Sequence, residues 1–331
     1  MLADLVAGTL LVALVAYTVT GGADFGGGLW ELFATGPRKA RQRELVERAI
    51  APIWEANHVW LILVVVVMFV ALPVAFSAIM TALHIPLVIV LVGIVLRGAA
   101  FVFRGYDPEP AAGAERWRTV FAVASLVTPI FLGVCLGAIV SGGVRLHPDG
   151  RPAVGFVEAW ATPVAFGVGA FVVVLVAWLA AVYLTVAAGD DRELADDFRR
   201  RALVTGLLAA AVGHALLAAG IGPSHTDGTR GTLVQLAVGV LGAGALHAVW
   251  TRAYKRARVL AAGQVAAIVV GLGLAMHPFV VPPDLTFERA LAPPAVVEAM
   301  LVVLAIGTPL LLAALVWLYR VFRKPDPDAH P

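Results

Sequence analysis

The chain has 331 residues, 60% of them hydrophobic and only 14% charged, with a formal net charge of +2 and a mean hydropathy of +0.90. A soluble domain carries roughly a quarter of its residues as charges, so water-soluble folds are excluded and no nucleic-acid partner is expected. The single cysteine, Cys135, lies in an apolar run and excludes an internal disulfide and a cysteine-based metal site.

Apolar stretches of about 20 residues, each able to cross a hydrocarbon core of roughly 30 Å, recur along the chain and define an all-α, polytopic membrane protein. Strict alternation over ten-residue segments is absent, which argues against a transmembrane β-barrel. Nine spans are expected, at about 3–22, 52–74, 78–103, 119–142, 160–187, 202–220, 232–250, 259–278 and 296–319. The first has no basic n-region and runs straight into Gly21-Gly22-Ala23-Asp24, so it reads as a span and not as a cleaved leader.

The glycine cluster "GGADFGGGLW" (Gly21–Trp30) follows. Gly22 and Gly26 form a GxxxG pair, which predicts close helix packing; without a strand or a P-loop lysine it is not a phosphate cradle. The second span opens on "APIWEANHVW". There Glu55 and His58 share a face at i,i+3, Trp54 and His58 pair at i,i+4, and Asn57 and Trp60 pair at i,i+3. The third span adds Arg97. Thr-Pro steps at Thr128-Pro129, Thr162-Pro163 and Thr308-Pro309 read as kinks or edges of packed helices. His84, His214, His247 and His277 lie in or near spans, but nothing in their spacing pairs them as a bis-imidazole haem site. "VPPD" and "APP" (Val281–Asp284, Ala292–Pro294) stiffen the last external loop.

Charge then orients the chain. With an external N-terminus, nineteen of the 24 Lys and Arg residues fall in cytoplasmic segments: Arg38–Arg48, Arg104–Arg118, Arg192–Arg201, Arg252–Arg258 and the tail. Only Arg145, Arg151, Arg230 and Arg289 fall outside, a strong positive-inside pattern. In that frame Asp24, Glu55, His58 and Arg97 reach similar depth near the cytoplasmic face. Ionisable groups inside spans are costly and default to functional suspects. A carboxylate with a titratable neighbour, an amide to order water and indoles to seal the sides suit a proton inlet. A Glu55–Arg97 ion pair locking three helices is the structural alternative, with Trp54 and Trp60 as anchors.

These stretches resemble subunit II of the cytochrome bd-type quinol oxidases. The resemblance runs through "TGGADFGGGL", "AIAPIWEANHVWLI", "LRGAAFVFRG", "VTPIFLGV" and "GLAMHPFV", and so covers nearly the whole chain. It implies two four-helix bundles plus a peripheral helix within one membrane domain, the first bundle at about 1–142 and the second with the last helix at about 160–320, before a short tail at 321–331. It also implies a haem-bearing partner, subunit I, ligating haem b and haem d, and a complex that oxidises quinol and reduces O2 to water without pumping. Subunit II itself would ligate no haem and no metal. It would act as a scaffold and supply a cytoplasmic proton route through Glu55, Asp24 and His58, supported by Asn57, Arg97, Trp54 and Trp60. Some family members hold a quinone in this subunit, and small accessory subunits occur. The family's Trp-Asp-Gly-Asn acid falls on Glu55 and the second acid of its Asp-Gly-x-Asp motif on Asp24; the first acid of that motif is Gly21 here, and Ala56 replaces a glycine. The expected location is a bacterial cytoplasmic membrane. A secondary transporter is the competing class, and the absence of a clear inverted repeat speaks against it. A purely structural partner shares the fold and differs only at Glu55 and Asp24.

Overall fold

The computed structural model describes residues 1–50, 54–103, 112–221 and 228–322, with the side chains of residues 50, 54–56, 112–114, 319 and 321–322 outside the description. Among the described residues the chain is helical apart from loops and one small hairpin. The order is α1 (Leu2–Leu32), α2 (Lys39–Ile50), α3 (Trp54–Ala71), α4 (Pro73–Ala82), α5 (His84–Phe103), α6 (Ala112–Val140), α7 (Pro163–Ala187), α8 (Arg192–Ala218), α9 (Gly228–Trp250) and α10 (Tyr254–Met276). The two short strands Phe279–Val281 and Leu285–Thr286 follow, then α11 (Phe287–Ala290) and α12 (Pro294–Phe322). Eight helices are long and apolar enough to cross a membrane, or nine if the bent pair α3–α4 counts as one span. The chain is a multi-pass membrane protein.

Two expectations change. The first span does not end at residue 22: α1 continues through the whole glycine cluster to Leu32, so Asp24 sits inside a helix. The second span is shorter than expected and the third does not begin at residue 78. Pro73 has no N–H to donate into the preceding turn, and the helix breaks at Leu72; Pro73 starts a new one at its first turn, and α4 leaves α3 at 118°. The third crossing starts only at His84. The Thr162-Pro163 step is likewise a helix start. Thr162 caps α7, its hydroxyl accepting from the Ala165 amide at 3.2 Å, with Pro163 in the first turn.

Helix α1 is central and packs on α3, α6, α7 and α10. Its glycines make this possible. A Cβ at Gly26 would overlap the Val176 carbonyl oxygen of α7 and lie 2.6 Å from the Ala180 Cβ, so the GxxxG reading holds and the two backbones touch. Two residues on, Gly28 leaves room for Ser125 and Phe121 of α6. Helices α7 to α10 pack in sequence order, while α12 lies at the periphery against α3, and only 6% of its apolar stretch is buried.

One end of the helix assembly is a charged clasp. The amphipathic α2 lies across it: Arg38 forks onto Asp197, Arg41 reaches Asp191 and Glu193, and Arg43 reaches Glu115. The Leu194 amide and then the Arg41 guanidinium hold the Asp191 carboxyl below the usual carboxylate range. Arginines also satisfy helix C-termini there: Arg199 donates to the carbonyls of Val249 and Trp250 and stacks on the Trp250 ring. At the opposite end, Arg145 forks onto Asp284 and ties the α6–α7 loop to the hairpin. That guanidinium lowers the Asp284 carboxyl.

The α1–α7 contact yields a sharp prediction. Gly26→Ala lowers the stability of the purified protein by about 1–3 kcal/mol, because the Val176 backbone cannot retreat. Gly8→Ala is neutral, since nothing lies within 4 Å of that position. Thermal unfolding of the two variants side by side checks this.

Candidate functional site

The buried polar groups converge on α1. Asp24 is 3% exposed and Arg97 1%. Arg97, six residues before the end of α5, crosses to α1 and forks onto Asp24: Nη1 donates to Oδ2 at 2.8 Å, while Nη2 donates to Oδ1 and to the Asp24 carbonyl. Its Nε donates to Ser125 Oγ on α6 at 2.9 Å. The guanidinium faces are covered by Phe25 and Phe121, whose ring centres lie 4.6 and 4.8 Å from Cζ. One residue thus joins three helices.

Local sequence explains the fit. Phe25 neighbours Asp24, and Phe121 lies one turn before Ser125, so each hydrogen-bonding group brings its own ring. Gly28 admits Ser125 toward α1, and Gly93, one turn before Arg97, admits Thr128 toward α5. Thr128 returns its hydroxyl to the Ala124 carbonyl at 2.7 Å, satisfying itself beside Pro129. Such a pair gains little over well-packed apolar residues, yet removing one partner strands a charge in a dry interior.

Beside the pair lies the α1–α3 face. The His58 ring meets Tyr17 and Phe25 edge-on, each at 6.4 Å between centroids. Trp60 packs against the same cluster of Tyr17, Phe25 and Val176. Asn57 is 1% exposed, and both its amide atoms are buried without a hydrogen-bond partner among the described residues; the Tyr17 hydroxyl is buried in the same condition. Of the residues expected from sequence, the structure gathers Asp24, Arg97, His58 and Trp60 around Phe25, and Asn57 is buried on α3 next to His58 in sequence. The side chains of Trp54 and Glu55 lie outside the described residues. Arg97, expected opposite Glu55, is engaged by Asp24.

The other histidines are dispersed. His84 and His214 bond the carbonyls of Thr81 and Ala210 on their own helices, and His277 lies 3.5 Å from Asp4 at the opposite end. Among the described residues no group of three His, Cys, Asp or Glu side chains could hold a metal ion. The His58 ring packs against Tyr17 and Phe25.

Sequence reasoning missed Tyr17, Ser125 and Glu31. Glu31 is 2% exposed, and Arg118 approaches it at 3.7 Å. A signal existed: Tyr17, Asp24 and Glu31 recur every seven residues and therefore share one stripe of α1.

A family model for cytochrome bd terminal oxidase subunit II matches residues 2–322. The chain belongs to that family. Similar curated relatives include cytochrome bd-I ubiquinol oxidase subunit 2 of Escherichia coli K12, 30% identical over 40% of this chain and 34% of the relative. Cytochrome bd ubiquinol oxidase subunit 2 of Bacillus subtilis 168 is 34% identical over 40% of this chain and 38% of the relative. The chain thus aligns with little more than a third of the length of these relatives. The solved bd oxidase of Geobacillus thermodenitrificans superposes with a TM-score of 0.74 at 20% identity, covering 98% of this chain and 99% of that one, which shows a shared fold. In this bd oxidase subunit II the Tyr17 ring lies against Gly21 of α1.

Asp24→Asn destabilises this subunit II by about 3–5 kcal/mol, because it leaves the Arg97 guanidinium uncompensated. Adding Arg97→Met restores most of the loss, since the pair then leaves together. Denaturant or thermal unfolding of the single and double variants measures both values.

Proposed function

We propose that the chain is the non-haem-ligating subunit II of a quinol-oxidising, O2-reducing terminal oxidase, and that it provides both scaffold and proton supply. Its partner is subunit I, which carries the b and d haems and, with quinol, delivers electrons to O2. Every electron delivered to O2 must be matched by a proton, and in this non-pumping enzyme protons drawn from the cytoplasm make turnover electrogenic. The family match over residues 2–322 carries the reading.

The proton role is supported by the polar side of α1 and α3. The basic residues gather at one end of the helix assembly, which is the cytoplasmic end under the positive-inside rule. Glu55 enters α3 at that end as the proton-accepting group, Asn57 orders water behind it, and His58 receives the proton between Tyr17 and Phe25. Trp60 closes the side of the route. Asp24 holds a negative charge at the same depth and, with Arg97, fixes the helices that wall the inlet. The whole chain acts as one membrane domain in a bacterial cytoplasmic membrane, with the N-terminus outside and the tail inside. A bound quinone and small accessory subunits belong to the same proposal.

One observation favours a second reading. Arg97 spends its hydrogen bonds on Asp24 and Ser125, as a purely structural lock would. Glu55→Gln separates the two in the complete complex. The proton-supply reading predicts normal assembly, unchanged haem bands and O2 reduction slowed by about tenfold or more. Normal turnover in an assembled complex contradicts it and leaves the scaffold alone.

A further inference from the structure

Among the buried polar atoms without a hydrogen-bond partner in the described residues are the Tyr17 hydroxyl and both ends of the Asn57 amide. Native interiors rarely leave such atoms unpaired, and where protein does not pair them, ordered water does. Helical spacing puts Asn57 on the face of α3 that meets Tyr17. Asn57 lies one turn before Trp60 and Leu61, and these pack against Tyr17, Phe25 and Val176. The His58 ring, next to Asn57 in sequence, meets Tyr17 edge-on.

Tyr17 is also aimed. Its ring runs along α1 over Gly21, where a Cβ would lie 3.1 Å from one ring carbon and 3.7 Å from the carbon bearing the hydroxyl. A larger residue at 21 would push the ring off the helix. The bare backbone therefore lets the hydroxyl turn back toward the level of His58. Tyr17 stands seven residues before Asp24, about 10 Å further along the helix axis. This places its side chain near the middle of a 31-residue helix. A hydroxyl both donates and accepts, as does a carboxamide through its two ends, so the set can hold water in a chain of alternating donors and acceptors.

We propose that Tyr17 and Asn57 hold a small cluster of internal water between α1 and α3, and that this cluster relays protons inward past His58 toward the bilayer middle. The ligand is water or hydronium, and the relay consumes nothing: a proton entering from the His58 side leaves at the Tyr17 end, and each hydroxyl regains the proton it passes on. The proposal rests on the proton-supply reading and extends it by naming a positioning residue on α1.

The test compares Tyr17→Phe with Glu55→Gln in the complete oxidase. Tyr17→Phe keeps the ring over Gly21 and deletes only the hydroxyl. The expected result is an assembled complex with unchanged haem bands, quinol-driven O2 reduction slowed by about threefold or more, and a larger H2O/D2O rate ratio than the parent. A dry site predicts the reverse: removing an unpaired hydroxyl leaves the rate and isotope ratio as they were and holds or raises thermal stability. If Glu55→Gln is slow while Tyr17→Phe is normal, the inlet stands and the relay through Tyr17 falls. If both are normal, the underlying reading falls first. Should Tyr17→Phe fail to assemble, an experimental map of the parent complex decides. Ordered water within hydrogen-bond distance of the Tyr17 hydroxyl and the Asn57 amide supports the proposal; dry packing, or a lipid or quinone group filling the space, overturns it.

Discussion

Arg97 reaches Asp24 across the contact between α5 and α1, and most of the inner architecture follows from what that reach requires. A guanidinium and a carboxylate buried to 1% and 3% exposure must satisfy each other or unfold the site. Ser125 takes the Nε proton from α6, and two phenylalanines exclude water from the flat faces. Glycines at 26, 28 and 93 exist where this close assembly needs space, against α7, α6 and Thr128. The pair is thus less a source of net stability than a statement of which helices meet, and at what register.

With α1, α5 and α6 fixed, the α1–α3 face is where polar groups remain unsettled. The Asn57 amide and the Tyr17 hydroxyl lie there, buried without a hydrogen-bond partner among the described residues. The contrast between a saturated pair and an unsaturated neighbour is the physical basis for dividing labour. Under the proposed function, Asp24 and Arg97 hold the walls in place and the α3 side is the one that would conduct. At the clasp end, α2 ties α6 and α8 together through arginine–carboxylate contacts. Those pairs are half-buried to exposed and individually weak, but as a network they hold this end of the helix assembly to one geometry.

Much of this was legible in the sequence. Apolar runs located the membrane helices but not all their ends, because a span must be long and uncharged whatever it packs against, while α1 runs on to Leu32 through a glycine-rich stretch that hydropathy does not mark. Gly22 and Gly26 announced a close helix contact, and the suspicion attached to Asp24, His58 and Arg97 came from burial cost alone. Partner choice was not legible. Depth arguments put Glu55, Asp24 and Arg97 at one level, but only packing through Gly28 and Ser125 turns Arg97 onto Asp24. The break at Pro73 was readable in principle, yet apolar continuity across residues 72–78 concealed it, since hydropathy does not register a missing N–H. Tyr17 escaped notice because a tyrosine in an apolar helix looks like packing until its hydroxyl is found without a partner. Glu31 lay in the sequence at a seven-residue interval from Asp24, a period visible only once α1 was known to run past residue 22.

The account turns on a wet opening that leads from the basic, cytoplasmic end to His58 and no further outward than Tyr17. Placing a thiol at that position measures it most directly: His58→Cys in a Cys135→Ser background, within the assembled oxidase in native membrane vesicles of known sidedness. A small, membrane-impermeant thiol reagent is predicted to label the cysteine from the cytoplasmic face and not from the outer face. No labelling from the cytoplasmic face, or labelling from the outer one, contradicts the account.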